Sequence, residues 1–271
     1  MAADSAEVSP RRGYVDGPFG QIHYRRTGTG RPLVLVHQAA MDSRQFTAVY
    51  GLLAEAGFDA IGFDLPGFGN SDCPPFPPRV EDLAASIVAA IDALGLERFD
   101  IAGHHTGAMV ATEVALALPE RVQRLVLNGP MPLTDAERSA FFADKHLREK
   151  EIVPKPGGQH FAEFAAIRER LVAGSLPLET VNSYVLQAMG APSPFWYGHN
   201  AGFQYRHEDS LPRLACPTLI LTNTGDQIYA HAQRARALRP DMAYAQLEGG
   251  GVDIIDQQPE AWTKTLTEFL T

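Results

Sequence analysis

The apolar residues Phe99, Ile101 and Ala102 run directly into Gly103-His104-His105-Thr106-Gly107, and a helical pattern over 108–118 follows at once. A strand that becomes a helix within five residues leaves few folds open. Glycine at both shoulders lets the backbone pass close to its neighbours, and the central residue is thrown out at the strand's C-terminal end. Such a turn fits a parallel sheet whose strands each feed a covering helix.

The rest of the chain keeps that rhythm. Residues 13–16 and 22–26 read as an opening hairpin, and further strands are expected at 33–36, 60–63, 99–102, 124–128, 218–222 and 243–247. Helices are expected at 46–56, 80–94, 106–118, 230–238 and 259–270. In 80–94 the residues Leu83, Ile87, Val88, Ile91 and Leu94 fall on one face. The reading is an α/β fold with a mostly parallel central sheet of about eight strands flanked by helices. Residues 131–212 break the pattern with helical stretches at 133–150, 161–172 and 180–189 and no convincing strand. An aromatic-dense segment with Phe195, Trp196 and Tyr197 follows, with Phe203 and Tyr205 beyond it. The division expected is therefore 1–130 for the first part of the core, 131–212 for a helical cap over the strands' C-terminal ends, and 213–271 for the last part.

Composition narrows the partners. A net charge of −9 on 271 residues, with no basic run, argues against nucleic acid. Cys73 and Cys216 are far apart in sequence and in no metal-ligand spacing, so both read as free thiols of a reducing compartment. Residues 1–12 are polar with no apolar leader, and no run nears the roughly 18 apolar residues of a membrane span. The expectation is a cytoplasmic protein with a small-molecule substrate, no nucleic-acid or membrane partner, and an insertion surface on which a homodimer could form. Gly67-Phe68-Gly69 and Gly249-Gly250-Gly251 read as turns and not as phosphate loops, and no cofactor or metal is expected.

Five landmarks then stand in order: Leu35-Val36-His37-Gln38; Asp64-Leu65-Pro66-Gly67-Phe68-Gly69-Asn70-Ser71-Asp72; the 103–107 turn; the segment 217–226 ending at Asp226; and Glu248-Gly249-Gly250-Gly251-Val252. In that order and spacing the chain resembles the α/β-hydrolase superfamily from about Gly13 to its C-terminus. The resemblance implies an α/β-hydrolase fold, with the 103–107 turn as the nucleophile elbow, Asp226 as the acid of a triad, and Val252 where the catalytic histidine belongs. Three departures matter. His105 replaces the nucleophile, Val252 replaces the histidine, and Gln38 replaces the glycine after His37. A serine nucleophile needs a base within reach and a carboxylate to orient that base, so the usual acyl-serine chemistry cannot run here.

Histidine tolerates positive φ better than most residues and is a natural acid or base near neutral pH. His105 is therefore expected to move a proton, with Asp226 orienting a histidine, binding water or being a relic. The resemblance implies that the backbone N–H groups of Ala39 and Thr106 form an oxyanion hole, with Gln38 adding a side-chain donor or bonding to its own loop. His37 and His104 read best as loop organisers. The expected substrate contacts are His37, Arg44, Asn128, Trp196, Tyr197, His199, Tyr205 and Val252, with Arg44 as a candidate for a carboxylate. Asp253, one residue past Val252, is a further candidate for the place of the missing imidazole. The leading expectation is cofactor-independent acid/base chemistry on a small apolar carbonyl compound: C–C cleavage, decarboxylation, cyclisation or water activation. The alternatives are an atypical ester or amide hydrolase, and an inactive ligand-binding protein.

Overall fold

The structure is a computed structural model that describes residues 10–271. The polar stretch read as free of a leader lies mostly at 1–9, outside the described residues. A hairpin of β1 (Arg11–Gly17) and β2 (Gly20–Thr27) leads to β3 (Arg31–Val36), α1 (Tyr50–Glu55), β4 (Phe58–Phe63) and α2 (Val80–Ala93). Then come β5 (Phe99–His104), α3 (Thr106–Ala117) and β6 (Val122–Asn128). Helices α4 (Asp135–Ala143), α5 (Lys145–Lys150), α6 (Gln159–Val172), α7 (Leu178–Met189), α8 (Tyr197–Gln204) and α9 (His207–Ser210) fill the stretch before β7 (Thr218–Asn223). The chain ends with α10 (Tyr229–Leu238), β8 (Ala243–Leu247), α11 (Ile254–Gln257) and α12 (Pro259–Leu270).

The sheet runs β1-β2-β4-β3-β5-β6-β7-β8, parallel from β4 to β8, with β2 antiparallel to β4 at one edge. Its strands read as near-continuous apolar runs because both faces are covered. Alternation within each strand divides the core. Val34, Val36, Ile101, Leu125 and Leu127 face α2 and α3, while Leu33, Leu35, Ala102, Val126 and Leu221 pack with Trp262 and Leu266 of α12.

Two expected helices differ in detail. The 46–56 stretch is a short 3₁₀ turn, Ser43–Phe46, followed by α1. Phe46, Val49, Tyr50 and Leu53 are all buried, which produced the helical spacing, but the backbone bonds Thr47 N–H to Arg44 O and Val49 N–H to Phe46 O are of the tighter i→i+3 kind. The 133–150 stretch breaks at Asp144 (φ −124°, ψ −72°) into α4 and α5.

Asp64, at the end of β4, ties the site region to the sheet. Its buried carboxylate accepts from Ser43 N–H, Asn70 N–H and His23 Nδ1, each at 2.8 Å. Burial alone would raise its pKa, but those hydrogen bonds outweigh burial and hold it at about 2. A carboxyl depressed in the folded state adds stability that is complete above its unfolded pKa of about 4 and is lost as pH falls toward 2. Asp64→Asn is therefore expected to cost on the order of 2 kcal/mol at neutral pH. Denaturant unfolding should also show a weaker loss of stability between about pH 4 and pH 2 in the variant than in the wild type.

Candidate active site

His105 stands at the tip of the turn between β5 and α3, with φ 50° and ψ −109°. That region is costly for a residue with a side chain and is held here by the surroundings. The His105 N–H donates to Asn128 O at 2.8 Å. A Cβ on Gly103 would lie 2.0 Å from Gly107 O, and one on Gly107 would lie 2.0 Å from Val36 O. Only glycine at both shoulders lets α3 leave the sheet this tightly.

The His105 Nε2 lies 2.7 Å from Oδ2 of Asp226, which sits in the turn after β7. Asp226 Oδ1 accepts from the Ile228 N–H at 3.1 Å. Burial by itself would raise the Asp226 pKa. The charge and hydrogen bond of His105, with the Ile228 amide, outweigh it and hold the group at about 2. Asp226 is therefore an acceptor-only carboxylate, and Nε2 must carry the hydrogen. In its neutral form the ring therefore presents a lone pair at Nδ1, which has no hydrogen-bond partner among the described residues. Gly129 makes room for the ring: a Cβ there would lie 2.5 Å from His105 Cδ2.

Behind this pair lies a second histidine. Gln45 Oε1 accepts from the Gln38 N–H at 2.9 Å, so the Gln45 amide nitrogen faces His104 Nδ1 and donates to it. Burial lowers the His104 pKa well below its usual value, so the ring is neutral with its hydrogen on Nε2. His104, His105 and Asp226 bring metal-capable atoms within 4.8 Å of one another. The donor chemistry fits a metal poorly, because His104 Nε2 carries a hydrogen and the other two are bound to each other. It suits the holding and moving of protons.

The loop after β3 completes the site. The Ala39 and Thr106 N–H groups donate to no acceptor among the described residues. Ala40 holds φ 64°, and the buried Gln38 Nε2 has no partner. These groups and His105 line one cavity of about 640 Å³. Its apolar walls include Met109, Phe141, Phe164, Phe195 and Phe203, and its polar lining includes Lys145, Glu149, Arg168 and His231.

Of the residues expected to form the site, the cavity gathers His105, Thr106, Gln38, Ala39, His199 and Val252, with Asp226 directly behind His105. Six expected substrate contacts lie elsewhere. His37 is fully buried, bonded through Nδ1 to Gln38 O and accepting from the Leu65 N–H at Nε2, so it organises the loop. Arg44 is held by the Asp42 carboxylate. Asn128 accepts from Trp262 Nε1 at 2.7 Å beneath the sheet end. Trp196 packs edge-on to His146 with Lys150 over its ring, and Tyr197 lies against Trp196, all outside the cavity. Tyr205 donates to Glu113. Asp253 turns away to bind Arg168 at 2.6 Å. His207 is fully buried against Thr112 and Met131, and burial pushes its pKa down to about 3.

The wall residues of α4, α5 and α6 were missed. The cavity side of an amphipathic helix carries the same apolar pattern as its packing side, so only the fold separates the two. Gln45 had no local signal. Its role arises from standing between Gln38 and His104 in space.

Comparisons with known proteins agree with this architecture. The profile of the α/β hydrolase fold family matches residues 31–251. The chain is 26% identical over 261 residues to the (E)-2-((N-methylformamido)methylene)succinate hydrolase of Acinetobacter baylyi, covering 90% of this chain and 94% of that protein. It is 38% identical over 119 residues to a 2-hydroxy-6-oxononadienedioate/2-hydroxy-6-oxononatrienedioate hydrolase of Burkholderia vietnamiensis, covering 42% of this chain and 41% of that protein. Among solved structures, the enol-lactonase from Burkholderia xenovorans superposes with a TM-score of 0.81 at 18% identity, covering 95% of this chain and 99% of that one, a likeness of fold alone. No helix among the described residues is long and apolar enough to cross a membrane. These two relatives are named as hydrolases, the sheet order and elbow are in place, and the profile spans most of the sequence: this chain belongs to the α/β-hydrolase fold family.

Proposed function

We propose that this chain is an enzyme of the α/β-hydrolase class that moves a proton on a small, largely apolar carbonyl compound, without an acyl-enzyme intermediate and without a cofactor. The observation that carries the reading is the His105–Asp226 pair at the elbow, with His105 on the cavity wall and no hydrogen-bond partner at its Nδ1 among the described residues. Nδ1 takes a proton from a carbon next to the carbonyl or from a water. The negative charge that develops on the carbonyl oxygen is received by the Ala39 and Thr106 amides, with the Gln38 amide as a third donor. Asp226 stabilises the imidazolium, which then returns the proton to the product. C–C cleavage, cyclisation and water-mediated ester or amide hydrolysis follow from that sequence, differing in what the base deprotonates; in decarboxylation the substrate carboxylate leaves as CO2, the same amides receive the enolate charge, and the protonated His105 ring gives its proton to the enolate carbon. Helices α4 to α9 act as the cap over the reacting groups.

His105 would be a poor covalent nucleophile here. Val252 places a hydrocarbon where a second base would have to release an acyl-imidazole. An inactive binding protein is the weaker reading, because a relic acid would have no reason to hold the elbow residue at hydrogen-bond distance.

The test is a product-mass panel of β-keto acids, vinylogous 1,5-diketones and activated esters, run with wild type and Asp226→Asn. The amide can donate to Nε2 and force the hydrogen onto Nδ1, which removes the base, and it cannot stabilise the imidazolium. The kcat of whichever class turns over is expected to fall by roughly 10²- to 10⁴-fold. Turnover unchanged in Asp226→Asn would sink the reading.

A further inference from the structure

The cavity is lined by charged groups that the proton-transfer scheme does not use, and one of them stands apart. Lys145, at the start of α5, lines it and is only partly exposed. Its Nζ lies 5.5 Å above the Phe203 ring, on the cavity wall. Most of the other charges facing the cavity sit beside a partner. Arg168 binds Asp253, Lys155 binds Glu163, Arg148 binds Asp144, and Glu149 Oε1 lies 2.9 Å from His199 Nδ1, while its buried Oε2 has no hydrogen-bond partner among the described residues. Glu151 and Arg170 are exposed. Among the described residues no carboxylate comes within 4.0 Å of Lys145 Nζ, and no acceptor hydrogen-bonds to it.

A half-buried ammonium against an aromatic wall, without an anion or an acceptor, is a costly arrangement on its own. Burial already lowers the Lys145 pKa, and the nearby Glu149 charge offsets this only in part. An anion brought in by a ligand would supply both the charge and the hydrogen bonds the ammonium lacks. Arg44, the cation expected from the sequence to do this, is occupied by Asp42 and stands outside the cavity.

We propose that Lys145 anchors a carboxylate of the substrate, so that the compound turned over is an apolar carbonyl compound bearing an acid group at the end away from His105. This rests on reading the cavity as the active site. The phenylalanines of the cavity wall, Phe141 and Phe203 stacked at 4.6 Å and Phe164 and Phe195 edge-on at 5.1 Å, fit an apolar body on a compound that carries both a carboxylate and a carbonyl.

Calorimetric titration of the full chain with cinnamate and with cinnamamide tests the assignment. The two probes share shape and apolar area and differ in charge. Wild type is expected to bind cinnamate about tenfold or more tightly than cinnamamide, the worth of one charge-assisted hydrogen bond. Lys145→Met keeps the stem over Phe203, so cinnamamide affinity should hold, while the preference for cinnamate falls to about twofold or less. Lys145→Arg should restore it. Equal binding of the two probes by wild type, binding of neither, or a preference that survives Lys145→Met would each overturn the proposal. His105→Gln separates this from the catalytic reading. It should keep the cinnamate preference whatever happens to turnover, so a failure of the base and a failure of the anchor register in different measurements.

Discussion

His105→Ala is expected to lower turnover of the responsive substrate by roughly 10²- to 10⁴-fold, the usual worth of a positioned acid or base. The argument is geometric. The elbow places this side chain at the cavity, next in sequence to the Thr106 amide, with an orienting carboxylate 2.7 Å behind it. His160, His199 and His231 also line the cavity, but none stands at the elbow tip, and the carboxylates beside His199 and His231 are Glu149 and Glu137 of the helical insertion. Alanine also leaves the buried Asp226 charge without its partner, so a folding defect could imitate a catalytic one. His105→Gln removes the ambiguity. A glutamine amide can still donate to Asp226 yet cannot accept a proton, so the variant should unfold near the wild-type midpoint and remain inactive. Turnover retained in His105→Gln would move the chemistry away from the elbow.

How much of this was legible beforehand depends on the range of the interaction concerned. The elbow could be read because Gly103 and Gly107 are demanded by backbone contacts that any sequence making this turn must respect. The two-sided core could be read because alternate residues of β3, β5, β6 and β7 are apolar on both faces. The partnership of His105 with Asp226 could not. Each residue occupies a position whose usual partner is missing, and 121 positions separate them. Direction was lost in the aromatic segment. Phe195 and Phe203 reach the cavity while Trp196, Tyr197 and Tyr205 do not, because density of aromatic residues says nothing about which side of a helix meets the site. Lys145 was invisible for a related reason. A lysine among charged neighbours reads as solvated until the fold shows that its neighbours are paired elsewhere.

The largest gain of function should come from rebuilding what the two replacements removed. His105→Ser alone provides a hydroxyl with no base, and Val252→His alone provides a base with no hydroxyl at the tip, so neither should hydrolyse activated esters appreciably. The double variant has the remaining parts in place. The Thr106 and Ala39 amides are unoccupied, and Asp226 is ionised and loses its present partner when His105 is replaced. The loop carrying Val252 is held against the turn carrying Asp226. Asn223 Nδ2 donates to both Gly249 O and Gly251 O at 3.1 Å, and a Cβ on Gly225 would lie 1.9 Å from Gly250 O, a contact that fixes the two turns side by side. Val252 lines the cavity, so a larger ring has open space to enter. Hydrolysis of p-nitrophenyl acetate by the double variant is therefore expected to exceed either single variant by about 10²-fold or more, below the full worth of a triad because the supporting contacts are not tuned to it. A burst of nitrophenol on mixing would report the acyl-serine directly. A double variant no better than its parents would mean that the elbow and the 248–252 loop no longer stand in register for acyl transfer, and that the scaffold has settled around His105.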